Sequence, residues 1–569
     1  MRRFFLPAPT VSALALSARC ATMKARNSQA PCVPDFNDDT TYRQRSTWYL
    51  VKALILLRLC GVNYLATNSV QVMKKFEKAL GTKLTYNILV KKSFYNYFCA
   101  GENDQEVRET IDKMAKTNVG AVLDYAAEAD TEGFAPEPGL AVGPEICMSR
   151  LVTKCNVEYP MSESTFDQNM KLYMMCIMHA SLYSPCDAAG VAAVKVTGMC
   201  DPQLLARVSA ILMSVHQSWS KHFTGENETV KLEECRVVMG LHRKHQLFVT
   251  YEQLRAGFDK YNPSNKLTDE QFKEIAKALD RRNVGKVNYF EYKEMLTEAL
   301  IALEPTPVQK ALIEGLPQMS SKEKELWKNV NNRLGLIAQT ARVLNVRMLV
   351  DAEQTFYQVA IDAIVASLQR EYNKEVPVVY NTYQCYLTYA QDRIDNDLVR
   401  ARHMDFHWGG KIVRGAYMIQ ERASAEKDSY TSPIWPTIEE THKCYNAAAE
   451  QILKKFEKEP NKKHEVFFGT HNKESLEVIT ALVLQHPDVQ SRVFFGQLFG
   501  MRDNLTVPLA KAGFHVYKYL PYGPVRETIH YLGRRAVENA SILTNGGNCE
   551  TVMMKNELKR RCGLRQKKH

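Results

Sequence analysis

Residues 347–353 read RMLVDAE, a short apolar run that stops abruptly at side chains able to carry charge. The same arrangement recurs as VGAVLD (119–124), VAAVKVT (191–197) and VPVVYNTYQ (376–384). It returns as KIVRGAY (411–417), EVFFGTHN (465–472), RVFFGQL (492–498) and FHVYKYLPYG (514–523). Continuous apolar, β-branched and aromatic runs of this length suit parallel strands covered on both faces. Helix-like segments such as Thr355–Tyr372 and Lys473–Gln485 lie between most of them. The last five strand starts are roughly 20 to 55 residues apart, the spacing of βα units. Eight such units predict an α/β chain with a closed TIM-like (β/α)8 barrel, whose site lies where the strands end. One or two polar strand ends would merely cap a buried strand. Eight in series point to a site.

Composition bounds the rest. A chain of 569 residues exceeds one core, and 45% hydrophobic with 24% charged residues is ordinary for a folded protein. The net charge of +11 is concentrated at the two ends: residues 1–34 and 555–569 carry it, and the body between them is balanced. That distribution argues against a nucleic-acid-reading face and against a nucleic-acid partner. The first 34 residues are Arg-rich, acid-free and contain Ser12, Ser17 and Ser28, as a mitochondrial transit peptide does; Pro7 and Pro9 interrupt the apolar stretch a secretory signal needs. Fourteen cysteines are scattered without a CxxC pair, which favours free buried thiols over a disulfide framework. The most apolar helical stretch, Trp48–Leu65, carries Lys52 and Arg58 and reads as an amphipathic packing helix. The tail Lys559-Arg560-Arg561 through Lys568 reads as a solvated end, with contact to anionic lipid as the alternative.

Some chemistry is excluded by motif. No GxGxxG follows a strand and no GxxxxGK[ST] is present, which removes Rossmann and P-loop sites. Metal-dependent barrel hydrolases converge several histidines and carboxylates, but His471 is the sole histidine among the eight strand ends, so no metal site is expected.

The motifs VLDYAAEAD (122–130), LVDAEQTFYQVAID (349–362), YNTYQCYL (380–387), KIVRGAY, FFGTHN (467–472) and YLPYGPVRETIHYLGRRAVEN (519–539) resemble those of the proline dehydrogenase family. The resemblance runs from about residue 119 to 545, broken by an insertion. It implies a distorted barrel with non-covalent FAD that oxidises L-proline to Δ1-pyrroline-5-carboxylate. In mitochondrial members the electrons pass to ubiquinone, which implies matrix location and peripheral association with the inner membrane.

The resemblance also assigns residues. Arg534 and Arg535 become ligands of the substrate carboxylate, which suits two guanidinium forks. Glu538, one turn after Arg534, is placed to hold the pair, and Glu128 stands behind it as an ion partner. Tyr519 fills the space beside the substrate ring, where related hydroxyproline enzymes carry serine, and Tyr531 forms a second wall. Lys195 and Asp351 lie near the amine and the flavin as a carboxylate–ammonium couple, supported by Glu353. The flavin positions are Asn381, Lys411, Val413, Gly415, Tyr417, Thr470, Asn472 and Gln497, with Arg414 and His471 at the pyrophosphate. Lys411 replaces an arginine found in some relatives, keeping the charge but losing the fork. The runner-up activities are hydroxyproline oxidation and a non-catalytic, calcium-responsive scaffold.

The chain divides into a leader (1–34), an N-terminal helical region (35–118), a first part of the barrel (119–200), a helical insertion (201–340), the rest of the barrel (341–545) and a basic tail (546–569). Strands two and three are about 150 residues apart, far more than a βα loop needs. Phe258–Phe272 and Leu279–Leu296 resemble a degenerate EF-hand pair, within about 245–300. The second loop keeps Asp280, Gly285 and Glu291 but places Arg282 and Val284 where calcium needs oxygen donors. The first has Asp259, then Tyr261 and Pro263. A calcium-free module is expected.

Overall fold

Eight parallel strands close on one another in chain order: β1 (Gly120–Tyr125), β2 (Gly190–Val194), β3 (Val346–Val350), β4 (Val379–Gln384), β5 (Gly409–Val413), β6 (Glu465–Gly469), β7 (Val493–Leu498) and β8 (His515–Tyr522), which returns to β1. The computed structural model describes residues 31–61, 69–125, 159–184, 189–223, 247–261, 267–280, 283–427, 429–544 and 549–563. Each of the eight quoted stretches supplies one strand. Their polar ends fall at or just past the carboxyl ends, at one mouth of the barrel.

Alternation along the strands sorts side chains into two cores. Val122, Ala193, Leu349, Tyr380, Phe467 and Tyr517 pack in the lumen. Leu123, Ala192, Met348, Ile412, Phe468 and Phe495 face the helices. With a period of two, Asp124, Lys195 and Asp351 take the lumen side one step above Val122, Ala193 and Leu349. The floor is closed by Arg347, which binds Glu465 through Nε and Nη2 at 2.5 and 2.7 Å while the Tyr380 hydroxyl donates to the same carboxylate. A polar plug at the amino end belongs to stability, and it leaves chemistry to the opposite mouth.

Helices Thr355–Tyr372 and Lys473–Gln485 occupy the stretches read from sequence. The amphipathic stretch begins as helix Thr47–Cys60, capped by the Ser46 side chain, which accepts the Tyr49 N–H at 3.1 Å. Its Leu50, Ala53 and Leu57 pack with Ile529, Leu532 and Ala536 of helix Ile529–Thr544. Each leucine buried there stabilises by about 2 kcal/mol. The N-terminal region thus clamps the helix that bears Arg534 and Arg535. Among the described residues no helix is long and apolar enough to cross a membrane.

Both ends of the insertion join the outer layer of the barrel. Helix Pro202–Phe223 packs on Thr355–Tyr372, and Ser321–Val343 packs on Glu163–Tyr183 and β3. Between them, Phe248–Thr250 pairs antiparallel with Lys286–Asn288, setting Val249 opposite Val287. One expectation is corrected. Asp259 opens no loop: it lies inside helix Tyr251–Tyr261, 3.6 Å from Arg255 one turn before it. Leu254 and Phe258, buried at helical spacing, carry the helix through that position. Pro263 and Arg282 lie outside the described residues, as do Glu128 and most of the leader.

Candidate active site

Five of the eight strands bring a charged cluster together at the mouth. Asp351, just past β3, accepts from Lys411 Nζ on one oxygen and from the Tyr519 hydroxyl on the other, at 3.0 Å. Lys195 Nζ stands 4.0 Å from Asp351 and 3.8 Å from Asp124, which is 1% exposed. Burial opposes ionisation of Asp351, but Lys411 and Lys195, with the two hydrogen bonds, hold its carboxyl below the ordinary value. Lys411 Nζ also sits 5.8 Å from the centre of the Tyr519 ring. The Tyr519 phenol is pushed well above its usual range by burial and by the Asp124 and Asp351 carboxylates, so it stays a donor.

Glu353, two residues on, is sealed beneath this cluster. Its Oε1 accepts the Thr197 N–H at 3.2 Å and the Thr197 hydroxyl at 3.0 Å. Burial pushes its carboxyl up to about 7, against the hydrogen bonds from Thr197 and the charge of Lys195.

Helix Ile529–Thr544 places Tyr531, Arg535 and Glu538 on one face by its i, i+4 and i+7 spacing. Arg535 is buried, lies 4.7 Å from the Tyr531 ring centre and pairs with Glu538 Oε1 at 2.6 Å. Arg534 is half-buried on the same turn. The pair therefore does not project into bulk water. The fields of Arg535 and Asp124 both act on the Tyr531 phenol, and Tyr531 acts on Tyr519, so arginine helix and strand ends share one neighbourhood.

A second cluster follows β5 and β6. Arg414 donates to Thr470 Oγ1 at 2.6 Å, Ser475 Oγ at 2.8 Å and His442 Nδ1 at 3.0 Å, with its guanidinium 4.4 Å from the Tyr445 ring centre. Thr470 and Asn472 lead into helix Lys473–Gln485, and the Asn472 side chain accepts the Ser475 N–H at 2.7 Å. A helix amino end beside a guanidinium suits a diphosphate. Gly415 has φ +132°, and a Cβ there would stand 2.5 Å from the Tyr386 ring, so the backbone passes where no side chain fits. Val413 and Tyr417 flank it, both half-buried.

His471 tests the fit to a flavin. The Leu498 N–H donates to its Nε2 at 3.3 Å, which assigns the hydrogen of the neutral ring to Nδ1. Burial, then the charges of Lys518, Arg502, Arg535 and Arg414, hold the ring well below its usual pKa, hence neutral. Nδ1 is buried without a hydrogen-bond partner among the described residues. A buried N–H lacking an acceptor, beside a helix amino end and a bare glycine backbone, fits a group rich in oxygens.

Two assigned flavin residues are placed differently from the rest. Asn381 faces outwards on β4 and donates to Asp362 Oδ1, at 3.0 Å, in the helix layer. The lumen positions on that strand are Tyr380, Thr382 and Gln384; Gln384 donates to the Glu353 carbonyl at 2.8 Å. Gln497 bridges the Thr470 carbonyl at 3.3 Å and the Thr506 hydroxyl at 3.0 Å, orienting the loop after β6. Sequence reasoning gave no role to Asp124, Gln384 or Ser475. Counting strand parity along YNTYQ finds Gln384; nothing in the sequence marks Ser475.

A closed parallel barrel with charged strand ends, and with a diphosphate-type cradle that lacks the Rossmann glycines, is the architecture of a flavin-dependent barrel oxidoreductase. Comparison with known proteins agrees. The family model described as proline dehydrogenase matches residues 242–545. Human mitochondrial proline dehydrogenase 1 is 30% identical over 572 residues, covering 93% of this chain and 90% of that protein. A hydroxyproline dehydrogenase of Xenopus laevis is 26% identical over 539 residues, covering 94% and 92%. The crystal structure of proline utilization A from Bdellovibrio bacteriovorus shares the fold, with a TM-score of 0.50 at 13% identity, over 95% of this chain and 43% of that longer one. The chain belongs to the proline dehydrogenase family and is an oxidoreductase of its mitochondrial branch.

Proposed function

We propose that this chain, carrying non-covalent FAD, oxidises L-proline to Δ1-pyrroline-5-carboxylate, the first step of proline catabolism. Ubiquinone at the mitochondrial inner membrane then takes the electrons. The observation that carries the reading is the ionised Asp351, held between Lys411 and Tyr519 with Lys195 4.0 Å away. A bound isoalloxazine supplies the two-electron sink.

The protein's own residues do the rest. Arg535, braced by Glu538, takes the substrate carboxylate with Arg534 beside it. Tyr531 and Tyr519 wall the ring. The positive charge of Lys195 favours the neutral form of the substrate nitrogen, which loss of hydride from the adjacent carbon requires. His471, through its Nδ1–H, would hold the diphosphate of a bound flavin together with Arg414 and the amino end of helix Lys473–Gln485, and Thr470, Asn472 and Gln497 orient that loop. Asn381 acts from behind, through β4. The EF-hand-like module serves packing without calcium.

Anaerobic addition of L-proline to the yellow purified protein tests the reading. Rapid bleaching by proline, and slow bleaching by 4-hydroxyproline, is expected. Unchanged flavin absorbance, or faster bleaching by 4-hydroxyproline, overturns it.

A further inference from the structure

The N-terminal helical region carries a local excess of positive charge. Between Thr40 and Ala100 the chain holds ten lysines and arginines against one acid, Glu77. That acid is engaged within the region, accepting the Thr82 and Tyr86 hydroxyls, each at 3.0 Å. Arg43, Arg45 and Lys91 have carboxylate partners. Arg58, Lys75, Lys78, Lys83 and Lys92 are exposed and have none among the described residues.

The same elements turn large apolar side chains outwards. On helix Thr47–Cys60, Leu50, Ala53 and Leu57 face the helix that bears Arg535, while Trp48, Ile55 and Leu59 form the opposite, exposed stripe at i, i+7 and i+11. Phe76 and Leu80 are exposed one turn apart on helix Ser69–Leu80, as are Leu84, Ile88 and Leu89 on the helical stretch Lys83–Tyr95. Ser69–Leu80 packs on Lys83–Tyr95, and both Ser69–Leu80 and Thr47–Cys60 pack on Ile529–Thr544. Helix Cys549–Arg561 extends the surface: Arg561 Nη1 donates to Thr47 Oγ1 at 2.9 Å, and Val552, Lys555 and Lys559 are exposed at i, i+3 and i+7.

A single exposed apolar residue is ordinary, but a series of them on adjoining helices, interspersed with cations that lack acids, marks an interaction surface. Its chemistry is complementary to an anionic bilayer: headgroup phosphates take the cations, and the acyl boundary takes the apolar side chains. Long lysine stems allow both contacts at once.

We propose that this face docks the enzyme on an anionic phospholipid bilayer, with Trp48, Ile55, Phe76 and Ile88 entering the interface while Arg58, Lys75, Lys78 and Lys83 meet phosphates. The inference rests on the reading that a lipid-soluble quinone takes the electrons, and it supplies the surface through which the enzyme meets that acceptor. Helix Ile529–Thr544 lies directly behind Thr47–Cys60, so one helix layer separates the bilayer from the helix that bears Arg535.

Flotation of the flavin-loaded full chain with phosphatidylcholine vesicles, with and without cardiolipin, tests it. Binding to the cardiolipin-containing vesicles is expected, weakening as salt is raised, with little binding to phosphatidylcholine alone. The triple variant Lys75→Gln, Lys78→Gln, Lys83→Gln is expected to bind roughly 100-fold more weakly, since each cation near the surface contributes about fivefold. Ile55→Ser combined with Phe76→Ser is expected to lose binding, while flavin content and proline-dependent reduction of a soluble dye stay those of the wild type. Of the five tryptophans only Trp48 is exposed, so a blue shift of emission on vesicle addition is expected in the wild type and absent in Trp48→Phe. Equal binding to neutral vesicles, undiminished binding of the lysine variant, or no binding to either vesicle overturns the proposal. So does a dimer in solution that the Ile55→Ser, Phe76→Ser variant dissociates, since a second copy then covers the face. Vesicle binding is read without proline, so its loss and a failure of proline to bleach the flavin are separate results.

Discussion

The Tyr519 hydroxyl donates to Asp351 Oδ2 at 3.0 Å, tying a wall of the pocket to its central carboxylate. Lys411 occupies the other oxygen, so neither partner is at liberty to turn. A tyrosine fixed in this way cannot swing aside for a bulkier ring. Tyr519→Ser is therefore expected to raise kcat/KM for 4-hydroxyproline relative to proline by roughly 10- to 200-fold, the range one sterically admitted group commands. Tyr519→Phe keeps the wall but loses the bond, and is expected to cost roughly tenfold on proline without changing the preference. Steady-state kinetics on both imino acids measure this. An unchanged ratio in the serine variant removes Tyr519 from the specificity wall.

Arg535 is buried against Tyr531 and braced by Glu538. Truncating one member of a buried charged contact costs about 2–5 kcal/mol. Arg535→Met is expected to raise the proline KM by roughly 30-fold or more, from the same principle, while the flavin content per chain stays that of the wild type. Flavin absorbance against protein concentration, with initial rates over a proline series, checks both halves. Equal proline affinity in the variant refutes the carboxylate role.

The barrel was legible because its signal is local: β-branched runs with polar ends need no partner to be recognised, and helices Thr355–Tyr372 and Lys473–Gln485 fall where their periodicity puts them. The charged cluster was legible only through motif resemblance, since nothing in RMLVDAE says that Asp351 meets Lys411 sixty residues later. Asn381 shows the limit. Its neighbours in YNTYQ alternate across the strand, and parity places it towards Asp362 with Gln384 on the lumen side. Asp259 shows another: an acid followed by Tyr261 and Pro263 reads as a loop, but packing of Leu254 and Phe258 continues the helix through it.

The second EF-hand-like loop bears on regulation. Asp280 accepts the Val284 and Gly285 N–H groups, at 3.0 and 2.7 Å, and the Tyr251 hydroxyl at 2.8 Å. Glu291 is buried, and Asn288 Nδ2 donates to its Oε2 at 2.5 Å. With Arg282 and Val284 at positions that need oxygens, two carboxylates are too few for a tight site. Calorimetric titration of calcium into the chelator-treated enzyme is expected to give no heat at micromolar calcium, and turnover is expected to be unchanged. Micromolar binding would require other ligands from the insertion.

Glu353 gives the enzyme a pH dependence of stability whose sign is fixed by burial. Its carboxyl is pushed up to about 7 in the folded chain, from 4.5. A raised acid favours folding in its protonated form, so this contribution is complete below about 4.5 and is lost as pH rises through about 7. The difference corresponds to on the order of 3 kcal/mol between those limits. Glu353→Gln keeps an acceptor for Thr197 and removes the ionisation. Between about pH 5 and 8 the wild type is expected to lose melting temperature relative to the glutamine variant, both measured as flavin-loaded protein. Because Glu353 is 4% exposed, added salt will not screen the effect away, unlike that of surface carboxylates. Parallel melting curves across that range would mean that Glu353 is already ionised in the folded protein, with the charge of Lys195 outweighing burial.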